Sequence, residues 1–138
     1  MFIGGAFAKN LEIIKREMDV SALRRNVIAN NIANSDTPNF KRSVVNFESQ
    51  LKRALDSETT AGFPQFLTDA RHISFDKPLE WNEVSPRRVL DYLTESKNNG
   101  NNVDIEEEGM DALNNQLLYT TLAQVVSGEI QRVNIVLK

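Results

Sequence analysis

The sequence predicts a mainly α-helical protein whose long N- and C-terminal helices pack together as a coiled-coil-like inner domain. Three observations predict it. Apolar residues recur at helical spacing near the N-terminus, they recur again near the C-terminus, and most Pro and Gly residues lie between the two runs. We expect an N-terminal assembly helix in residues 1–36, an irregular middle segment with a short helix and loops in 37–103, and a C-terminal assembly helix in 104–138.

The first helix is predicted over residues 7 to about 33. Its apolar positions alternate in steps of four and three, which is the spacing of a coiled-coil seam. The seam comprises Phe7, Leu11, Ile14, Met18, Ile28 and Ile32, with Ser21 and Arg25 as polar interruptions. A second apolar strip of Val20, Leu23 and Val27 lies on another face. A helix with two apolar strips usually has more than one neighbour, so this pattern favours assembly, although a single-domain bundle would also account for it.

The helix is predicted to end in a run of turn-forming residues from Asn34 to Asn39. Asn, Ser and Asp side chains compete for the backbone groups that a helix needs. Pro38 has no amide donor and disfavours helical geometry at Thr37. Asn39 tolerates positive φ if the turn requires it.

The middle segment is the least regular part of the chain. Val44, Val45 and Phe47 are expected to start as an extended piece, followed by a short amphipathic helix carrying Leu51, Ala54 and Leu55. Residues 57–86 read as loop with one or two short strands. The apolar positions between Val89 and Leu93 fit another short helix or strand, and residues 97–102 fit a turn or flexible hinge.

The second long helix is predicted to start sharply. Asp104 is a candidate N-cap with Glu107 three residues later, and the three consecutive glutamates Glu106 to Glu108 favour the positive end of the helix dipole. One apolar stripe contains Met110, Leu113 and Leu117. An adjoining stripe contains Leu118, Leu122, Val126, Ile130, Val133 and Leu137. The one-residue shift between the stripes is typical of a local break in a heptad pattern.

Charge and composition exclude several classes of protein. The net charge of −3 argues against nucleic-acid binding, which needs a basic face. Residues 1–56 nevertheless carry a net charge of +3 and residues 57–138 one of −6, which suits stacking of like subunits and equally fits chance. The chain has no cysteine, no basic leader typical of a cleaved signal, and no apolar run long enough to insert in a membrane by itself.

A search for catalytic, cofactor or metal chemistry finds no constellation that would support it. His72 is the only histidine and is interpreted as a structural or surface residue. The consecutive glutamates point around a helix instead of converging, so helix capping explains them better than metal binding. The basic pairs, such as Lys41-Arg42, lack interleaved aromatics and are interpreted as solvated faces, with ion pairs between subunits as the second interpretation.

The stretch from Ser21 to Lys41 resembles the N-terminal motif of bacterial flagellar rod, hook and filament-junction axial proteins. The motif reads A-N-N-I-A-N followed, after two residues, by T-P-G-Y-K; here Asn39 replaces the glycine and Phe40 the tyrosine. Asn is the next-best residue for positive φ, so the turn is expected to survive. The short length, residues 45–55 and the run from Gly100 to Asp104 resemble the proximal rod subgroup. The resemblance covers residues 18–56 and 98–138 well and the middle poorly.

This resemblance implies a non-enzymatic structural subunit whose terminal helices assemble into the periplasmic rod of the flagellar basal body. Such a subunit is exported by the flagellar type III system, carries torque and forms part of the export channel. The implied partners are other copies of itself, other rod proteins, the adaptor protein between rod and motor ring, and the export gate. The motif residues implied to fix the end of the first helix and its subunit contacts are Asn30, Asn31, Ile32, Asn34, Thr37, Pro38 and Phe40. A soluble helical adaptor or export chaperone is the alternative, and a small hydrolase a third interpretation.

Overall fold

In the computed structural model, the residues described are 5–59, 68–69, 71, 79–94 and 98–137. The elements are α1 (Ala6–Ala33), β1 (Ser43–Asn46), α2 (Glu48–Thr59), a short 3-10 helix (Trp81–Glu83), β2 (Arg87–Leu90) and α3 (Ile105–Val136). The mainly α-helical fold class is therefore confirmed. His72 and most of the loop predicted at 57–86 lie outside the described residues.

The residues group into two compact units, each with its own contacts. The first unit combines the chain up to Val45 with the chain from Arg88 onward, and the second is Asn46–Arg87. The division into segments 1–36, 37–103 and 104–138 stays a prediction.

The two long helices of the first unit pack against each other in antiparallel directions. Ser21 of α1 contacts Asn115 of α3, whereas Asn31, ten residues later in α1, contacts Glu108, seven residues earlier in α3. The buried apolar residues of α1 are Val20, Val27 and Ile28. None of the apolar residues of α3 is buried, and its two buried residues are Glu108 and Asn115. Polar contacts therefore set the register of this helix pair.

The end of α1 follows the predicted turn chemistry. The backbone N–H of Asn34 donates to the carbonyls of Asn30 and Asn31, and the N–H of Thr37 donates to the carbonyl of Asn34. Asn39 has φ of +59°, the conformation that its side chain tolerates better than most. The chain then reverses into β1.

The predicted start of the second long helix is confirmed. The Asp104 side chain accepts hydrogen bonds from the backbone N–H groups of Glu106 and Glu107, which lack partners within the helix. The Glu107 side chain does not return to Asp104; its Oε1 accepts from Arg42 instead.

The middle segment contains short elements whose type, helix or strand, the sequence did not decide. β1 and β2 form a two-stranded sheet, so the apolar run near Val89 is a strand. In the second unit, α2 packs against the 3-10 helix. The core of the second unit consists of Phe47, Leu51, Ala54 and Val84.

Candidate functional site

The two consecutive asparagines of the motif have different environments. Asn31 is 1% exposed, whereas Asn30 is exposed. The Asn31 amide Nδ2 donates to the Ser43 carbonyl at 2.9 Å and to Glu108 Oε1 at 3.0 Å. Its Oδ1 accepts from the Ser43 backbone N–H at 3.0 Å. One side chain therefore joins the end of α1 to β1 and to the first turn of α3.

Arg42 is the second centre of this polar cluster. Its guanidinium lies 2.8 Å from Glu107 Oε1, 3.1 Å from Glu108 Oε1 and 3.4 Å from Asp111 Oδ2. Burial of Arg42 opposes its charge, but the bond to Glu107 and the nearby carboxylates outweigh that cost, so its pKa is raised. Interpreting Lys41-Arg42 as a solvated face was therefore wrong for Arg42. The acidic residues that face it lie 65 to 69 positions later in the chain.

Glu108 is the least expected member of the cluster. It is 1% exposed in the first turn of α3. Burial disfavours its charged form more than Asn31 and Arg42 favour it, so its pKa is raised. Its Oε2 has no hydrogen-bond partner within the described part of the chain, and neither has Ser43 Oγ. Arg42 Nε lies at ion-pair distance from Glu108 Oε1 but is not aligned for a hydrogen bond.

The helix-capping interpretation of the three glutamates accounts for the first turn of α3 but not for Glu108. That part of the prediction is corrected, because Glu107 and Glu108 converge on Arg42 together with Asp111. A helix-surface argument could not find this, since the guanidinium that gathers these side chains comes from another element.

Two buried asparagines before α3 hold the turn after α1. Asn101 is 0% exposed and its Nδ2 donates to the carbonyls of Asn34, Ser35 and Thr37 at 2.8 to 3.0 Å. Carbonyl groups at and after the end of a helix lack hydrogen-bond donors within the helix, and the Asn101 amide provides a donor to these three carbonyls. Of the two structures predicted for residues 97–102, a turn or a flexible hinge, the structure has a turn at residues 98–100, and buried side-chain bonds of Asn101 hold the segment.

Asn102 fixes the sheet beside the same turn. Its Oδ1 accepts from the Arg42 backbone N–H at 2.6 Å, and its Nδ2 donates to the Asp91 carbonyl at 2.8 Å. The backbone at position 100 passes close to Asn39, and this position requires a glycine. Gly100 has φ of +76°, and a Cβ there would lie 2.7 Å from Asn39 Oδ1. We call Asn31, Arg42, Ser43, Asn101, Asn102 and Glu108 the polar clasp.

A separate buried pair joins the two long helices further along. Ser21 Oγ donates to Asn115 Oδ1 at 2.9 Å, and Asn115 Nδ2 donates to the Ser21 carbonyl at 2.9 Å. Ser21 appeared in the sequence as a polar interruption of an apolar seam. The interruption has a partner, since both side chains are buried and satisfied by each other.

Of the motif residues predicted to act in assembly, only Asn31 belongs to the polar clasp. Asn34 and Phe40 are half-buried, and Asn30, Ile32, Thr37 and Pro38 are exposed. Among the predicted seam residues, Ile28 is buried, and Leu11, Ile14, Met18, Leu122 and Val126 are half-buried. Leu113, Leu117, Ile130 and Val133 are 53%, 57%, 53% and 38% exposed. The seam residues of α3 therefore divide between the contact with α1 and an uncovered apolar surface.

The described residues offer little for chemistry. Residues 5–59, 68–69, 71, 79–94 and 98–137 hold no group of three or more His, Cys, Asp or Glu suited to a metal ion. In the same ranges, no helix combines the length and the apolar character needed to cross a bilayer. A long antiparallel helix pair that is fixed by polar contacts and bears exposed apolar residues is typical of the class of helical structural subunits.

Comparison with known proteins agrees with this class. Residues 21–41 match the model of the flagella basal body rod protein family. The flagellar basal body rod protein FlgB of Borreliella burgdorferi is 41% identical over 132 residues, which cover 96% of this chain and 98% of that protein. FlgB of Bacillus subtilis is 30% identical over 131 residues, or 95% of each chain, and FlgB of Escherichia coli is 27% identical over 125 residues, covering 88% and 87%.

This chain belongs to the FlgB family of flagellar basal body rod proteins. It is thus a rod component located in the flagellar basal body, where it associates with other flagellar proteins. Its family is a structural one and not a family of enzymes.

Proposed function

We propose that this chain is a subunit of the proximal rod that assembles helically through its terminal helices, transmits torque and forms part of the export channel. The observation that carries the proposal is the apolar surface of α3. Leu113 and Leu117 are more than half exposed, although they lie on the same helix as residues that contact α1. Contiguous exposed apolar surface is typical of an interaction site.

Torque transmission requires that a subunit keep its shape under load. The polar clasp supports this, because hydrogen bonds from Asn31, Asn101 and Asn102 connect α1, β1, the residue after β2 and α3 over 11 to 77 positions of sequence. Buried hydrogen bonds between elements that are distant in the sequence hold those elements in one relative position.

The proposed partners are further copies of this chain, other rod proteins, the adaptor protein between rod and motor ring, and the export gate. Export by the flagellar type III system delivers the subunit to the periplasmic side. The uncharged run of α3 from Ala112 to Gly128 suits a wall of the export channel, where fixed charges would retain passing substrates.

The test replaces the exposed apolar surface without touching the clasp. Leu113→Ser/Leu117→Ser is compared with Ala112→Ser/Gln116→Ser, which places the same residues at the same spacing on exposed neighbouring positions. We expect the first variant to keep its helical circular dichroism, to lose self-association in sedimentation velocity, and to fail to restore motility in a strain lacking this protein. The control variant should behave as wild type.

Equal self-association of the two variants would contradict the proposal. A discrete dimer that stays soluble at all concentrations and is absent from purified basal bodies would favour the adaptor or chaperone alternative instead.

A further inference from the structure

A cavity of about 260 Å³ opens beside the polar clasp, between α1, β1 and α3. Its lining includes the apolar residues Val27, Ile28, Val45 and Leu118 and the polar residues Ser43 and Glu108. We call it the Ser43–Glu108 cavity. A cavity lined by both apolar and polar residues suits a long side chain with a polar head.

Two buried atoms of residues that line this cavity lack partners. Ser43 and Glu108 are each 1% exposed, and Ser43 Oγ and Glu108 Oε2 have no hydrogen-bond partner in the part of the chain described. Buried polar atoms in native proteins are nearly always satisfied by protein, water or ligand. The Glu108 carboxylate oxygen only accepts hydrogen bonds and the Ser43 hydroxyl can accept as well as donate, so a single donor group would satisfy both atoms.

The charges around the cavity favour a cationic donor. Arg24, Arg42, Asp111 and Glu108 are the charged residues of its lining, and Glu107, which lies outside the lining, adds a further carboxylate on Arg42. These five groups sum to one negative charge. Burial also raises the pKa of Glu108 despite the nearby guanidinium, which indicates that its carboxylate is incompletely compensated.

We propose that the Ser43–Glu108 cavity receives the ammonium group of a lysine from a second copy of this chain, an inference that rests on the proposed function. An ammonium is a compact donor that suits one free carboxylate oxygen and one hydroxyl, whereas a guanidinium prefers two parallel acceptors. The methylene stem of lysine would contact the apolar residues of the lining.

Two exposed lysines can supply this group. Lys15 and Lys52 are exposed and form no ion pair within the described ranges. Both lie in residues 1–56, which carry a net charge of +3, while the carboxylates of the cavity belong to the stretch with a net charge of −6. Contact between unlike parts of two copies is heterologous, the kind that builds open helical polymers.

The first experiment probes the cavity in the full-length monomer with n-butylammonium chloride, using n-butanol as the neutral control. Backbone amide NMR shifts of Ser43, Val45 and Glu108 should saturate with the ammonium and not with the alcohol. Glu108→Gln should weaken binding at least about tenfold, because a charge-assisted bond is lost. Glu106→Gln makes the same charge change at an exposed position and should bind as wild type.

A second variant keeps the test independent of folding. Ser43→Ala removes a hydroxyl that has no partner among the described residues, so it should weaken n-butylammonium binding without unfolding the chain. Equal binding of ammonium and alcohol, unsaturable shifts, or equal affinity of Glu108→Gln and Glu106→Gln would overturn the proposal and leave the cavity to water.

The second experiment asks which lysine enters the cavity. Lys15→Gln and Lys52→Gln are assayed separately for self-association, and the variant that lacks the inserted lysine should lose it, as Glu108→Gln should. If both lysine variants and Glu108→Gln associate normally while Leu113→Ser/Leu117→Ser does not, the lysine contact is overturned and the proposed function stands. Normal association of the leucine variant would refute the proposed function without affecting the n-butylammonium result.

Discussion

Replacing Asn31 by Ala should be among the most destabilising single changes in the first unit. The substitution removes three hydrogen bonds of 2.9 to 3.0 Å, one of them to the Glu108 carboxylate. It leaves the Ser43 N–H and carbonyl and Glu108 Oε1 short of a partner in a buried site. Each such group costs about 1–3 kcal/mol, and partial relaxation brings the expected total to about 3–5 kcal/mol. That is a large share of the roughly 5–15 kcal/mol that stabilises a typical domain.

Urea unfolding followed by far-ultraviolet circular dichroism measures this loss. With a denaturant slope of about 2 kcal/mol per molar for a small protein, the midpoint should fall by about 2 M. Asn30→Ala is the matched control, because Asn30 is adjacent in the same helix but exposed. Ala is the better helix former, so the control should be neutral or slightly stabilised, by up to about 0.5 kcal/mol.

A third variant separates lost bonds from lost volume. Asn31→Asp keeps the shape of the side chain but sets a second carboxylate against Glu108 in place of the Nδ2 donor. At neutral pH it should destabilise at least as much as Asn31→Ala. If Asn31→Ala and Asn30→Ala lie within about 1 kcal/mol of each other, the assignment of this stabilisation to the buried amide is incorrect.

Three further predictions concern other positions. Gly100→Ala should lose about 1–2 kcal/mol in thermal or urea unfolding because its φ is +76°, whereas Gly128→Ala, in open space within α3, should gain up to about 1 kcal/mol. Burial raises the pKa of Glu108 above its ordinary 4.5, so the folded state holds this proton more tightly. Its stabilising contribution is complete below pH 4.5 and is lost as pH rises through the raised pKa, so the stability of wild type relative to Glu108→Gln should fall over that range. Ser21→Ala and Asn115→Ala should show a coupling energy of about 1 kcal/mol in a double-mutant cycle.

Each of these has a contrary result. If Gly100→Ala and Gly128→Ala change the stability equally, the positive φ at Gly100 does not determine the cost of its substitution. If the stability of wild type relative to Glu108→Gln instead rises with pH, the sign assigned to the Glu108 contribution is wrong. Additive losses at Ser21 and Asn115 would mean that their mutual bonds do not stabilise the helix pair.

Local chemistry made the two long helices and their ends predictable. Asp104 caps α3 because a short carboxylate reaches the free N–H groups of the next turn, and Asn39 adopts positive φ because its side chain tolerates it. Both effects act within about four residues, so they can be read from the order of amino acids. The motif between Ser21 and Lys41 likewise indicated the family directly.

The polar clasp could not be predicted because its members are far apart in the chain. Asn31 and Glu108 are separated by 77 positions, and Arg42 and Asn102 by 60. A sequence signal did exist, since four asparagines and a glycine precede an acidic helix start, but a run of that composition is equally typical of a flexible turn. Only burial distinguishes the two, and burial depends on where the other elements lie.

The sequence by itself determined two amphipathic helices, the turn between α1 and β1, and membership in the rod family. The tertiary structure alone decided which asparagine is buried, which glutamate meets Arg42, and which leucines of α3 remain uncovered. Helix periodicity and caps arise from contacts within one or two turns. The choice of buried partners follows from the antiparallel register of α1 and α3, which long-range hydrogen bonds set.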